Sequence, residues 1–288
     1  MKILVIGASG QLGKDVSSEL KSRNIETITS DIAGEVDFNL DFTDEEKTLK
    51  LVKDVNPDAI INCAAWTAVD AAEDEENKSK VYALNVIGVK NLVTASKEVD
   101  CKLMHISTDY VFDGQGETPW KPDDKNYKPL CYYGETKLQG ELEVAKLDKY
   151  FIVRIAWLFG GPVSFVNTML KVGKTHDEVR VVNDQIGTPT YAKDLATLLV
   201  DMVQTDKYGY YHATNEGGYI SWYDFCVEIY AQANMPTKVI PVSTKEYGLS
   251  KAVRPFNSRL DKSKLSDNGF TRLPDWKDAL SRYLNNVK

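Results

Sequence analysis

A tyrosine and a lysine stand four residues apart in Tyr132-Tyr133-Gly134-Glu135-Thr136-Lys137, and Ser107-Thr108-Asp109 lies upstream of them. On a helix, positions i and i+4 share a face, so the Tyr133 hydroxyl and the Lys137 ammonium can address one site. A free tyrosine, with a pKa of about 10, is a poor acid at neutral pH. A positive charge about 4 Å away contributes roughly 4 kcal/mol at an effective dielectric near 20, enough to lower that pKa by as much as ~3. Lys137 is therefore expected to turn Tyr133 into an acid that can protonate a carbonyl oxygen as it becomes an alkoxide. Tyrosine and lysine share this spacing in many helices, so the pair acquires meaning only beside a cofactor loop.

The chain begins with such a loop. Lys2 to Ile6 is an apolar run that stops at Gly7-Ala8-Ser9-Gly10-Gln11-Leu12-Gly13, after which Leu12, Val16 and Leu20 fall at helical spacing. A buried strand, a glycine turn and a helix N-terminus form an anion site, because free backbone N–H groups and the helix dipole both face a diphosphate. The glycines run G-x-x-G-x-x-G rather than G-x-G-x-x-G. The next strand, Glu26 to Asp31, ends in an acid. A carboxylate there can accept hydrogen bonds from an adenosine ribose and would repel a 2′-phosphate. Ile32, Ala33 and Gly34 follow with no arginine, which favours NADH; Lys14 offers a phosphate contact that keeps NADPH open.

Strand and helix patterns alternate with short breaks over the first 159 residues. A helix is expected over Asp44–Val55, strands over 59–64 and 102–107, a longer helix over Ser79–Glu98, a Gly- and Pro-rich loop over 114–130, and a strand over Tyr150–Phe159. Further on, strands over 178–182 and 208–213 and helices over 191–203, 221–233 and 276–284 are expected. The fold class is α/β: a Rossmann-type doubly wound parallel sheet with a smaller, discontinuous C-terminal substrate-binding lobe. Residues 1–159 form the dinucleotide-binding domain, completed by parts of 178–215, and residues 160–288 mainly the lobe.

A length of 288 residues allows one large or two modest domains, and the formal net charge of −7 disfavours a nucleic-acid or anionic-membrane surface. Apolar stretches fall far short of the ~20 residues of a membrane helix, and the glycine turn at residue 7 leaves no room for a signal-peptide core. A cytoplasmic protein is expected. Cys63, Cys101, Cys131 and Cys226 are widely spaced and expected to be reduced, and the three histidines show no metal-ligand spacing. His105, in an apolar strand, is expected to hydrogen-bond inside the core. The acidic run Asp70 to Glu76 reads as a helix start with solvated carboxylates, and no metal site is expected.

The loop, Asp31, the Ser107-Thr108 strand end, Asn85 and the Tyr133/Lys137 pair resemble the extended short-chain dehydrogenase/reductases. Within that superfamily the chain resembles the dTDP-4-dehydrorhamnose reductases over nearly its whole length. Asn62-Cys63-Ala64-Ala65-Trp66-Thr67-Ala68-Val69-Asp70, Ser107-Thr108-Asp109-Tyr110-Val111-Phe112, Asn183 to Thr190, Tyr211 to Asn215 and Arg254-Pro255 carry the likeness. The resemblance implies reduction of a 4-keto group on a dTDP-6-deoxy-L-hexose to dTDP-L-rhamnose. Thr108 would polarise the ketone, Tyr133 would protonate its oxygen, and Lys137 would hold the nicotinamide ribose. Gly7, Gly10, Gln11, Leu12, Gly13, Asp31, Asp41, Phe42, Ala64, Ala65, Trp66 and Thr67, with Tyr133 and Lys137, would bind the cofactor. Asp109, Tyr110 and Trp157 would join Thr108 and Tyr133 on the nucleotide-sugar, and Asn85 would anchor the active-site helix.

Two rivals accompany this reading. Nucleotide-sugar epimerases and dehydratases share the loop and the Tyr/Lys pair, but a dehydratase adds an acid pair, of which Asp109-Tyr110 supplies half. A non-catalytic dinucleotide-binding subunit is the second. The sequence is compatible with a monomer or a homodimer.

Overall fold

The computed structural model describes residues 1–286. In chain order the elements are β1 (Lys2–Ile6), α1 (Gln11–Ser22), β2 (Glu26–Asp31), β3 (Phe38–Asn39), α2 (Glu45–Val55), β4 (Ala59–Asn62), α3 (Glu75–Tyr82), α4 (Gly88–Glu98), β5 (Lys102–Thr108) and α5 (Tyr132–Val144). They continue with β6 (Tyr150–Ile155), β7 (Leu158–Phe159), α6 (Phe165–Gly173), β8 (Glu178–Val182), β9 (Ile186–Gly187), β10 (Thr190–Tyr191), α7 (Ala192–Val203), β11 (Gly209–His212), β12 (Ile220–Ser221) and α8 (Trp222–Ala233). Last come β13 (Lys238–Val242), α9 (Thr244–Tyr247), α10 (Ser263–Asp267) and α11 (Trp276–Asn286).

Seven strands form one sheet in the order β11-β6-β5-β4-β1-β2-β3, every pair parallel. Central strands such as Ala59–Asn62 are fully buried, as a sheet covered on both faces requires. One face packs under α1 and α7 through Val16, Leu20, Leu195 and Leu199. The other packs under α2 and α4 through Val52, Leu92 and Val93. Strand order reverses between β1 and β4, and the crevice above their carboxyl ends is where such folds take ligands.

The lobe has its own core, in which Phe159, Phe225, Trp276 and Tyr283 meet. Helix α8 starts with the expected serine: Ser221 accepts the Asp224 N–H at 3.1 Å, and the Asp224 carboxylate accepts the Ser221 N–H at 2.9 Å. No helix among the described residues is long and apolar enough to cross a membrane.

Two local expectations need correction. The strand foreseen over Tyr150–Phe159 breaks after Ile155, because Trp157 takes a left-handed backbone, φ +51°. The Asp70–Glu76 carboxylates are also not merely solvated. Asp70 meets Arg254 at 2.6 Å and accepts the Ala252 N–H at 3.0 Å, Glu73 accepts the Tyr132 N–H at 2.7 Å, and Asp74 pairs with Lys251. They tie the lobe and the start of α5 to the β4 side of the sheet.

Candidate active site

The turn after β1 is shaped by glycine. Gly7 has φ +77°, and a Cβ there would stand 2.6 Å from the Ala64 nitrogen; one on Gly13 would stand 2.1 Å from the Gly7 oxygen. Gly13 thus lets α1 close onto the turn, from behind the cleft rather than in its wall. The helix begins at Gly10 with no side-chain cap and no acidic residue in its first turn. Its N–H groups and dipole are left for an anion. Asp31 braces the turn, accepting the Ser9 N–H at 3.0 Å and the Ile32 N–H at 2.7 Å.

A cleft of about 590 Å³ runs from this turn to the start of α5. Gly7, Gly10, Gln11, Leu12 and Asp31 line one end, with Phe42, Ala64, Ala65 and Thr67 along the wall. Thr108, Asp109, Tyr110, Tyr133, Lys137 and Trp157 line the other end. The buried Gln11 Nε2 and Asp109 Oδ2 have no protein hydrogen-bond partner. Small residues, a helix N-terminus and unpaired polar atoms fit a dinucleotide lying along the wall.

Besides Gly13, two foreseen cofactor residues fall outside the lining. Asp41 is exposed and accepts hydrogen bonds from the Thr43 N–H and hydroxyl, at 3.0 and 2.7 Å. Trp66 turns away: its backbone N–H donates to Asn85 Oδ1 at 2.9 Å, and its ring packs against a small cluster with Ala72, Val81 and Tyr133. Leu40, Leu84 and Val163 line the cleft unforeseen, and Trp222 joins them. Trp222 stacks on Trp157, centroids 3.8 Å apart. No sequence signal joins two tryptophans so far apart in the chain.

Helix α5 is held by Asn85, which donates to the Thr136 hydroxyl at 3.1 Å. Asn85 sits in a widened helical turn over Ala83–Ile87, between α3 and α4, a local irregularity frequent at functional sites. Tyr133 is buried, and burial pushes its phenol above the ordinary value; the nearby Thr108 hydroxyl opposes this. Lys137 stands one helical turn further on. Its Nζ donates to the Ile106 carbonyl at 2.7 Å and faces His105 Nε2 at 3.3 Å. Burial pushes Lys137 down to about 8, against the pull of Glu141. In this arrangement burial outweighs the lowering of the tyrosine that was expected from its lysine. Asp109, buried and held at 3.1 Å by the Thr108 hydroxyl, is pushed up by desolvation to about 6.

These groups can place a carbonyl oxygen between two hydroxyls, with a titratable lysine one helical turn behind. The spore coat polysaccharide biosynthesis protein SpsK of Bacillus subtilis (strain 168) is 37% identical over 98% of this chain and 96% of its own. A crystal structure of a dTDP-4-dehydrorhamnose reductase from Clostridium acetobutylicum superposes with a TM-score of 0.93 at 42% identity, covering 100% of this chain and 99% of that one. The Bacillus anthracis dTDP-4-dehydrorhamnose reductase, solved in complex with NADP, gives 0.92 at 39% identity, covering 99% of this chain and 100% of that one. The model of the family described as RmlD substrate binding domain matches residues 1–288. By full-length match and by fold, the chain belongs to the RmlD substrate binding domain family.

Proposed function

We propose that this chain reduces the 4-keto group of dTDP-4-dehydro-L-rhamnose to give dTDP-L-rhamnose, with NADH or NADPH as reductant. The observation that carries this reading is the meeting of Thr108, Tyr133 and Lys137 at one end of a cleft whose other end is the glycine turn. The shared name of the Clostridium and Bacillus anthracis relatives supports the substrate, and the Bacillus subtilis relative supports a place in polysaccharide biosynthesis. We place the enzyme in the cytoplasm.

When bound, the reduced nicotinamide supplies a hydride to the sugar carbon. The residues do the rest. The Gly7 turn and the α1 N-terminus hold the diphosphate, and Asp31 faces the adenosine ribose, favouring NADH. The NADP complex of the Bacillus anthracis relative keeps NADPH in the reading. Thr108 donates a hydrogen bond to the ketone oxygen and strengthens it as negative charge develops. Tyr133, kept protonated by burial, gives that oxygen its phenolic proton. The transfer runs downhill, because an alkoxide is a far stronger base than a phenolate. Lys137 holds the nicotinamide ribose. Trp157 lays its ring on the sugar, while Asp109 and Tyr110 bound the substrate end of the cleft.

The test is NADH consumption with the 4-keto sugar nucleotide generated in place from dTDP-glucose by upstream enzymes. One NADH oxidised per dTDP-L-rhamnose formed is the expected result. An isomeric keto sugar nucleotide formed without net NADH loss would point to an epimerase. Tight NADH binding with no product from any 4-keto sugar nucleotide would point to a regulatory subunit.

A further inference from the structure

His105 lies within β5, wholly buried, and the cleft lining does not account for it. Two hydrogen bonds and its burial fix its protonation. The Asn62 side chain, beside it on β4, faces Nδ1 with its amide nitrogen at 3.1 Å. That amide fits only one way round: its oxygen accepts the Ala64 backbone N–H at 3.0 Å, and a backbone N–H can only donate. Nδ1 of His105 is therefore an acceptor. Burial and the nearby Lys137 hold the ring well below its ordinary pKa, so it is neutral and its one proton sits on Nε2. That N–H points at Lys137 Nζ, 3.3 Å away.

An N–H aimed at an ammonium meets another donor, whereas one aimed at an amine meets a lone pair. We propose that His105, locked by Asn62 with its proton on Nε2, is a positioning residue that presents a donor to Lys137 and favours the neutral amine over the ammonium. The other groups around Nζ are few. On β5 the Ile106 carbonyl accepts from it, and on β4 Asn62 carries no charge. On α5 Glu141 favours the ammonium but is shared with Arg154 of β6, and Tyr133 lies one turn before. His105 thus sets against Glu141 and keeps Lys137 able to change charge near neutrality instead of acting as a fixed cation. The use of that titration in a turnover rests on the reductase reading; the position of the proton does not.

The first measurement is the nitrogen NMR spectrum of the full chain labelled in its three histidines, from pH 6 to 9. The His105 resonance is assigned by its loss in His105→Phe. A bare Nδ1 and a protonated Nε2 throughout are expected, and a proton on Nδ1, or a doubly protonated ring, overturns the proposal. The second is the titration of Lys137 followed through lysine labelled at Cε. Asn62→Asp should draw the ring proton to Nδ1, leave Nε2 to accept from the ammonium, and raise the Lys137 midpoint by about one pH unit or more. The same substitution in a His105→Phe background reports the field of the new carboxylate alone and should give a smaller rise. Equal rises in both backgrounds overturn the proposal. Should Asn62→Asp fail to fold, the wild-type histidine spectrum decides alone. The expected spectra in a chain that turns over no keto sugar would remove the reductase reading and leave this inference in place.

Discussion

Arg154 on β6 grips Glu141 on α5 through two bonds, Nε to Oε1 at 2.9 Å and Nη2 to Oε2 at 2.7 Å, with neither side chain reaching solvent. The guanidinium also donates to the Pro122 carbonyl at 3.2 Å and the Tyr127 hydroxyl at 3.1 Å, and lies over the Phe112 and Tyr210 rings. One buried cation thus joins the sheet, the 114–130 loop and the helix that carries Tyr133 and Lys137. Glu141→Gln leaves that charge without its counter-ion and should destabilise the fold by about 3–5 kcal/mol. Urea unfolding read by fluorescence checks this, and a loss below about 1 kcal/mol would mean that the remaining acceptors suffice.

Asp109 gives a prediction whose sign depends on pH. Its folded pKa, about 6, lies above the ordinary 3.8. Protonated Asp109 is therefore favoured by folding; this contribution is fully present below about pH 4 and is lost as pH rises through 6. At pH 7 the buried carboxylate costs up to about 3 kcal/mol. Asp109→Asn should raise thermal stability at pH 7, with the gain shrinking toward pH 4, while turnover falls because Asp109 faces the substrate end of the cleft. A gain independent of pH would show that the carboxylate is not the source.

Tyr133→Phe removes the proton donor and leaves the ring in place. Turnover should fall by about 10²–10⁴-fold, the usual contribution of a positioned acid, with NADH binding by fluorescence titration unchanged. A rate within a few-fold of wild type would move the acid elsewhere.

Gly13→Ala puts a methyl group where the Gly7 carbonyl oxygen lies. The turn must open to admit it, so cofactor affinity should fall at least about tenfold, equivalent to 1.4 kcal/mol. Calorimetric titration with NADH, alongside a thermal melt, separates lost binding from lost folding.

Much of this architecture is legible in the sequence, because the first βαβ units obey local rules. Apolar runs make buried strands, Leu12, Val16 and Leu20 make a helix face, and the glycine turn lies between them. The lobe is less legible. Helix α6 and strand β13 escape a periodicity reading, the strand because Pro241 interrupts its pattern; a proline is tolerated there because β13 pairs on one side only, with β8. The break at Trp157 depends on tertiary support, since Thr190 donates to the Ala156 carbonyl at 2.6 Å and to the Trp157 carbonyl at 3.1 Å. Asp41 and Trp66 enter the cofactor set through the family resemblance, and motif position carries no information about where a side chain turns. Hydrogen bonding inside the core was foreseeable for His105, but its partners were not, because they come from β4 and α5.

The seventh strand of the sheet comes late. β6 ends at Ile155, and its outer neighbour β11 ends at His212. At ~5–20 residues per second, a ribosome needs roughly 3–11 s to deliver the intervening chain. Through that interval a nascent sheet would carry an open, apolar edge at Tyr150–Ile155, with the Arg154 guanidinium short of its His212 and Tyr210 neighbours. The nascent protein is thus most exposed to mispairing between strands just before its last sheet strand emerges, and a chaperone acting on it has that window in which to work.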